Sequence, residues 1–200
     1  MRDTSNDVNA RPVLLLVAIA IAVTATLPAS TAEAQRRPLY AGFGVGPFAL
    51  FGHDGFYGPC CDVHFRAQGE FGWHPSGTDS GFFLAANLTI TPGNDFFIFT
   101  PGLRLGGDIE VHSRRDVSVF LRPSVLLGAG FFDPDGPDNT LGLFVIQPAF
   151  DIRIALADHV VQLWVRPFAI DFLLFPEHWH DRRFRWHAGY TFMAGIDFAF

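Results

Sequence analysis

Ten side chains are the first candidates for chemistry: Arg66, Glu70, Arg104, Asp108, Glu110, Arg122, Asp151, Arg153, Arg166 and Asp197. Most lie in alternating stretches, on the parity opposite to large apolar residues. Guanidiniums and carboxylates sharing one surface either interlock as ion pairs or leave a carboxylate to act as acid or base. Charges withdrawn from water must be paired, and arginine's planar fork matches a carboxylate at two points. The expectation is a structural plug of cross-strand ion pairs with no open pore, set against a catalytic carboxylate site.

Other constellations are thinner. His178, His180 and Asp181 are close enough in sequence to hold a transition metal, but two imidazoles and one carboxylate fall short of a closed site, so no metal and no cofactor is expected. Cys60 and Cys61 are adjacent and lack Cys-x-x-Cys spacing, which leaves a vicinal disulfide or a bond to another chain. The run Gly42-Phe-Gly-Val-Gly46 has the look of a phosphate loop, but no helix pattern follows it. Asn87-Leu-Thr89 matches a glycosylation sequon in the middle of a strand pattern.

The elements that must position these groups are strands. In the last segment Trp186, Ala188, Tyr190, Phe192, Ala194, Ile196, Phe198 and Phe200 occupy one parity, and His187, Gly189, Thr191, Gly195 and Asp197 fall on the other. This period of two recurs in seven earlier segments, beginning near Leu39, Val63, Phe82, Phe97, Val117, Phe144 and Val160. Turn-forming clusters such as His74-Pro75-Ser76-Gly77 and Pro92-Gly93-Asn94-Asp95 separate them. In the Val160–Phe172 segment Arg166 and Asp171 fall on opposite parities, which calls for a bulge. Pro47, Pro101, Pro123, Pro148 and Pro167 all fall inside strands. A closed barrel has no free edge for them, so bulges or strand ends are expected there.

The chain has 200 residues, 49% of them apolar, including 23 Phe, and its 14 basic residues are all Arg against 20 acids. A net charge of −6 disfavours a nucleic-acid partner. The apolar stretch Val13–Leu27, followed by Ala32-Glu33-Ala34, is short for a spanning helix and predicts a signal peptide over 1–34, leaving 35–200 as the barrel domain. Eight segments in that length predict an all-β, eight-stranded antiparallel up-and-down transmembrane β-barrel. The polar parity is rich in glycine, as a narrow barrel interior requires. The opposite parity carries aromatics at the strand ends, including Phe51, Trp73, Phe82, Phe97, Phe131, Phe172 and Trp186, as an interfacial girdle would.

The closing Tyr190-Thr-Phe-Met-Ala-Gly-Ile-Asp-Phe-Ala-Phe200 resembles the carboxy-terminal strand of bacterial outer-membrane barrels. Arg122-Pro-Ser-Val-Leu-Leu-Gly-Ala-Gly-Phe131 is similar to a recurrent strand of small opacity-type and OmpA-like barrel domains. The resemblance implies an outer-membrane location in a Gram-negative envelope. It also implies that Tyr190, Phe192, Ile196, Phe198 and Phe200 are read by the barrel-assembly machinery, and that the role is non-enzymatic, in envelope integrity or surface interaction. With both termini on the periplasmic side, the long connections 52–62, 132–140 and 176–185 face outward. Arg182, Arg183 and Arg185 would then meet lipopolysaccharide phosphates at the rim, or stand simply solvated. Two other readings stay open. One is a lipid A deacylase or acyltransferase, for which His187 and Ser124 are the nearest residues but lie on different strands. The other is a secreted lipocalin-like carrier with its apolar side chains turned inward.

Overall fold

A computed structural model describes residues 37–51, 62–77, 80–93, 96–114, 117–134, 140–156, 159–176 and 184–200. Nine strands follow in chain order: β1 Leu39–Phe51, β2 Asp62–Trp73, β3 Gly81–Pro92, β4 Phe96–Arg114, β5 Val117–Pro134, β6 Leu141–Leu156, β7 Val161–Pro176, β8 Phe184–Thr191 and β9 Met193–Ala199. Each pairs antiparallel with its sequence neighbour as far as β8, and both β8 and β9 lie between β7 and β1. The last two are therefore one strand interrupted at Phe192, and the sheet closes into an eight-membered cylinder. The segment proposed as a signal peptide lies outside the described residues.

The alternation read from the sequence sets the two faces. Phe43, Phe71, Leu103, Phe144, Phe168 and Phe198 are among the side chains exposed on the outer wall, whereas all five lumenal arginines are buried. An oily exterior around a charged interior reverses the arrangement of a water-soluble barrel, and it overturns the carrier reading with inward apolar side chains.

Parity changes within β7, where Gln162, Trp164 and Arg166 point inward and then Ala169, Asp171 and Leu173 do so. The register of β6 against β7 slips between Phe150 and Ile152, next to Arg166 and Pro167. The expected bulge is there. It turns Asp171 into the lumen together with Arg166. A second slip lies between Glu110 and His112 on β4.

The five prolines are accommodated differently from expectation. None ends a strand, and all five turn their rings outward or sit half-buried on the outer wall. Four of them keep the ladder on one side and lose it locally on the other, whereas Pro167 is paired with neither neighbour. Pro101 pairs with Leu88 of β3, while the β4–β5 pairs stop at Phe99↔Phe131 and resume at Gly102↔Gly128. Pro148 pairs with Val125, while the β6–β7 pairs skip from Ile146 to Ala149. Pro123 pairs with Phe150 and leaves a gap towards β4, and Pro47 pairs with Phe65 and leaves one towards the β8–β9 interruption. A backbone N–H points to only one neighbouring strand, so a missing one interrupts only one ladder. Pro167 alone coincides with a bulge.

Candidate functional site: the lumen network

The inward parity brings together Arg66, Arg104, Arg122, Arg153 and Arg166 with Glu70, Asp108, Asp151, Asp171 and Asp197, and every one of these side chains is buried. Five guanidiniums face five carboxylates, so the interior is charge-balanced among the described residues. Nine of the ten residues singled out in the sequence are in this set. The tenth, Glu110, lies beyond the last β3–β4 pair, Gly81↔Asp108, half-buried and accepting a hydrogen bond from Ser118 at 3.0 Å.

Glu70 is the hub. One carboxylate oxygen accepts the Tyr40 hydroxyl at 2.8 Å and lies 3.4 Å from Arg122 and 3.7 Å from Arg153. The other lies 3.1 Å from Arg104 Nε and accepts from Gln68 and Asn87 at 3.3 Å each. Around it stand three carboxylate–arginine pairs. Arg166 grips Asp151 at two points, 2.6 and 2.9 Å. Arg122 grips Asp108 at two points, and His74 lies 2.8 Å from the same carboxylate. Arg153 holds Asp197, whose other oxygen accepts the Trp164 indole N–H at 2.8 Å. Towards the end away from the termini, Arg66 pairs with Asp171 at 2.7 Å and donates to Thr91 and Thr191 at 2.9 and 2.8 Å. Gln147 links the layers, accepting from Arg104 and donating to Asp171 at 2.9 Å each.

Desolvating this many charges is unfavourable unless their lone pairs and protons are met, and neutral side chains do much of that work. Tyr40, Gln68, Gln147, Trp164 and Thr191 were not singled out in the sequence. Except for Trp164, whose segment had conflicting parity, their shared parity was readable, but neutral residues give no sign of which charge they serve. Glycines make the space: a Cβ on Gly44 or Gly195 would overlap the Trp164 ring, and one on Gly72 would overlap Tyr40.

The lumen is not polar throughout. At the end away from the termini it is filled by Phe48, Leu50, Phe96, Ile98, Phe132, Leu143, Val145, Leu173 and Phe175. The ion-pair plug is thus joined by an apolar layer that the reading of the sequence did not separate from it. The readable signal was apolar residues on both parities at strand ends, as in Phe96-Phe97-Ile98-Phe99 and Phe172-Leu173-Leu174-Phe175.

The remaining candidates are not drawn into one site. Ser124 faces Arg104 in the network at 3.4 Å, whereas His187 packs on Phe175 in the apolar layer. The serine and histidine that lipid chemistry would need are thus in different layers. Asn87 is buried and turned to Glu70, and Gly42, Gly44 and Gly46 lie along β1. Cys60, Cys61, His178, His180, Asp181, Arg182 and Arg183 lie outside the described residues; of Arg185 only its backbone place opposite Phe175 is described. Tyr190, Phe192, Ile196, Phe198 and Phe200 share the outer parity of β8 and β9, with Phe198 and Phe200 exposed.

The architecture has a solved counterpart. The chain is similar to the crystal structure of neisserial surface protein A, with a TM-score of 0.56 at 12% identity over 81% of this chain and 97% of that one. The fold is that of a small outer-membrane barrel. A further solved structure, Ail of Yersinia pestis in complex with the heparin analogue sucrose octasulfate, aligns at a TM-score of 0.32 and 10% identity over 82% of this chain and 99% of that one. No protein-family model matches the sequence, and no curated protein matches it.

Proposed function

We propose that the protein is an integral outer-membrane barrel without enzymatic activity, a plugged scaffold that stiffens the envelope and presents its outer connections to surface partners. One observation carries this reading: charge-balanced arginines and carboxylates are buried inside while phenylalanines and leucines coat the exterior. Water would solvate the reverse arrangement; hydrocarbon solvates this one. The exposed aromatics Phe51, Phe82 and Trp186 lie near strand ends, where an interfacial girdle would be.

Partners follow from the same placement. Phe198 and Phe200 stand on the outer wall at the terminal strand, where barrel-assembly machinery would read them. Arg182 and Arg183, just before β8 in sequence, and Arg185, its second residue, are proposed to meet lipopolysaccharide phosphates. Export through a cleaved 1–34 segment completes the route.

The test is fractionation of expressing cells together with gel mobility before and after boiling. The protein should stay with the outer membrane and migrate differently when unboiled. Recovery as a soluble periplasmic species would overturn the reading. A second arm uses Leu103→Arg, which places a charge on the exposed middle of β4. In a bilayer it should cost about 2–4 kcal/mol, whereas on a water-facing wall it would cost almost nothing.

A further inference from the structure

Above the network, aromatic rings follow one another round the lumen from β2 by way of β4, β5 and β7 to β8, and Phe48 and Leu50 of β1, the strand between its two ends, belong to the same apolar cluster. His64 of β2 meets Phe96 of β4 edge-on with centroids 4.5 Å apart, and Phe96 meets Phe132 of β5 at 5.6 Å. Phe132 meets Phe175 of β7 edge-on at 5.6 Å, and Phe175 meets His187 of β8 at 5.4 Å. These separations and tilts are those at which aromatic pairs attract beyond their burial. The three phenylalanines are buried, and aliphatic side chains of the same cluster fill the space around them. The row is joined to the charged layer below: Phe48 belongs to the apolar cluster, and the Arg66 guanidinium lies 3.8 Å above its ring centre.

We propose that this row of rings is a second seal of the lumen, in series with the ion-pair network and placed at the end away from the termini, so that the barrel stays closed to water and solutes at that end even where the charged layer is loosened. It deepens the plugged-scaffold reading and rests on the barrel interior described above. The physical reason is complementary. Ion pairs exclude ions by occupying space but attract water, whereas a close-packed apolar layer gives water no partners and dewets. The charged layer therefore fixes the shape of the lumen, and the aromatic layer keeps it dry from one side.

The experiment places a reporter thiol just beneath the row. Thr100 is buried, points inward on β4 two residues below Ile98, and is close to cysteine in size. Thr100→Cys is made in a Cys60→Ser, Cys61→Ser background, folded in detergent, and exposed to a charged, membrane-impermeant maleimide. Thr100→Cys alone should stay unlabelled while the unboiled gel band shows a folded barrel. Adding Phe96→Ala, Phe132→Ala and Phe175→Ala should raise the labelling rate by roughly tenfold or more with that band retained, because reaction follows the population of open states. Rapid labelling of Thr100→Cys in the intact barrel overturns the seal. So does an unchanged rate after the three rings are removed. If the triple variant loses the folded band, Phe132→Ala alone, which removes the central ring, carries the same two outcomes. Failure of the membrane-barrel reading would appear instead as absence of the heat-modified band in the parent protein.

Discussion

Glu70→Gln is the sharpest perturbation of the network. The carboxylate has three guanidiniums at 3.1, 3.4 and 3.7 Å, and at an effective dielectric of ~20 each contact represents about 5 kcal/mol of attraction. Most of that is offset by desolvation of the partners. Glutamine keeps the volume but removes the charge, leaving five buried guanidiniums against four buried carboxylates. It also puts an amide N–H₂ where an acceptor stood. In one orientation the new donor faces Arg104, Gln68 and Asn87; in the other it faces Tyr40 and Arg122. Breaking one side of a buried pair costs about 3–5 kcal/mol. Urea unfolding of the barrel refolded in lipid vesicles should show that loss as an earlier midpoint. Arg104→Gln combined with Glu70→Gln restores the charge balance, so the double variant should recover about 1–3 kcal/mol relative to the sum of the single losses. A Glu70→Gln barrel within about 1 kcal/mol of the parent, or single losses that simply add, would refute the hub.

Further expectations follow from packing and from the bulge. Gly44→Ala should cost about 1–3 kcal/mol or prevent folding, since its Cβ would overlap the Trp164 ring, while Gly69→Ala, with open space around it, should fall within ~0.5 kcal/mol of the parent in the same unfolding assay. Tyr190→Phe removes the hydroxyl that donates to the Pro167 carbonyl at 2.5 Å beside the β7 bulge, and an unmet carbonyl facing hydrocarbon should lower stability by about 1–3 kcal/mol. Arg166→Lys keeps the charge but not the two-point grip on Asp151. It should cost about 1–3 kcal/mol, and a thermal gel-shift midpoint equal to the parent's would show that the fork is dispensable.

The architecture was legible because a period of two, sustained over eight segments, admits few folds. The lumenal arginines and acids were legible as one shared face for the same reason, and the glycines on that parity and the aromatics opposite it pointed that face inward. Asp171 was obscured by the β7 bulge, since one inserted residue reverses every later side chain, and the sequence shows the conflict with Arg166 without showing which side gives way. The apolar layer was hidden because strand ends with Phe on both parities read as girdle on both faces. The prolines were readable as a problem and not as a solution. Which ladder each interrupts depends on which neighbour its nitrogen faces, and that is set by register.

The join between β1 and the β8–β9 strand is what turns the sheet into a cylinder. Its backbone ladder is in two pieces, Tyr40 to Val45 against β9 and Phe48 to Phe51 against β8, with the Phe192 N–H bonded to the Pro47 carbonyl between them. Such a closure is a clasp with two hooks rather than a continuous zip. The cylinder is thus held shut at two places with Pro47 between them, and each place contributes its own set of backbone bonds.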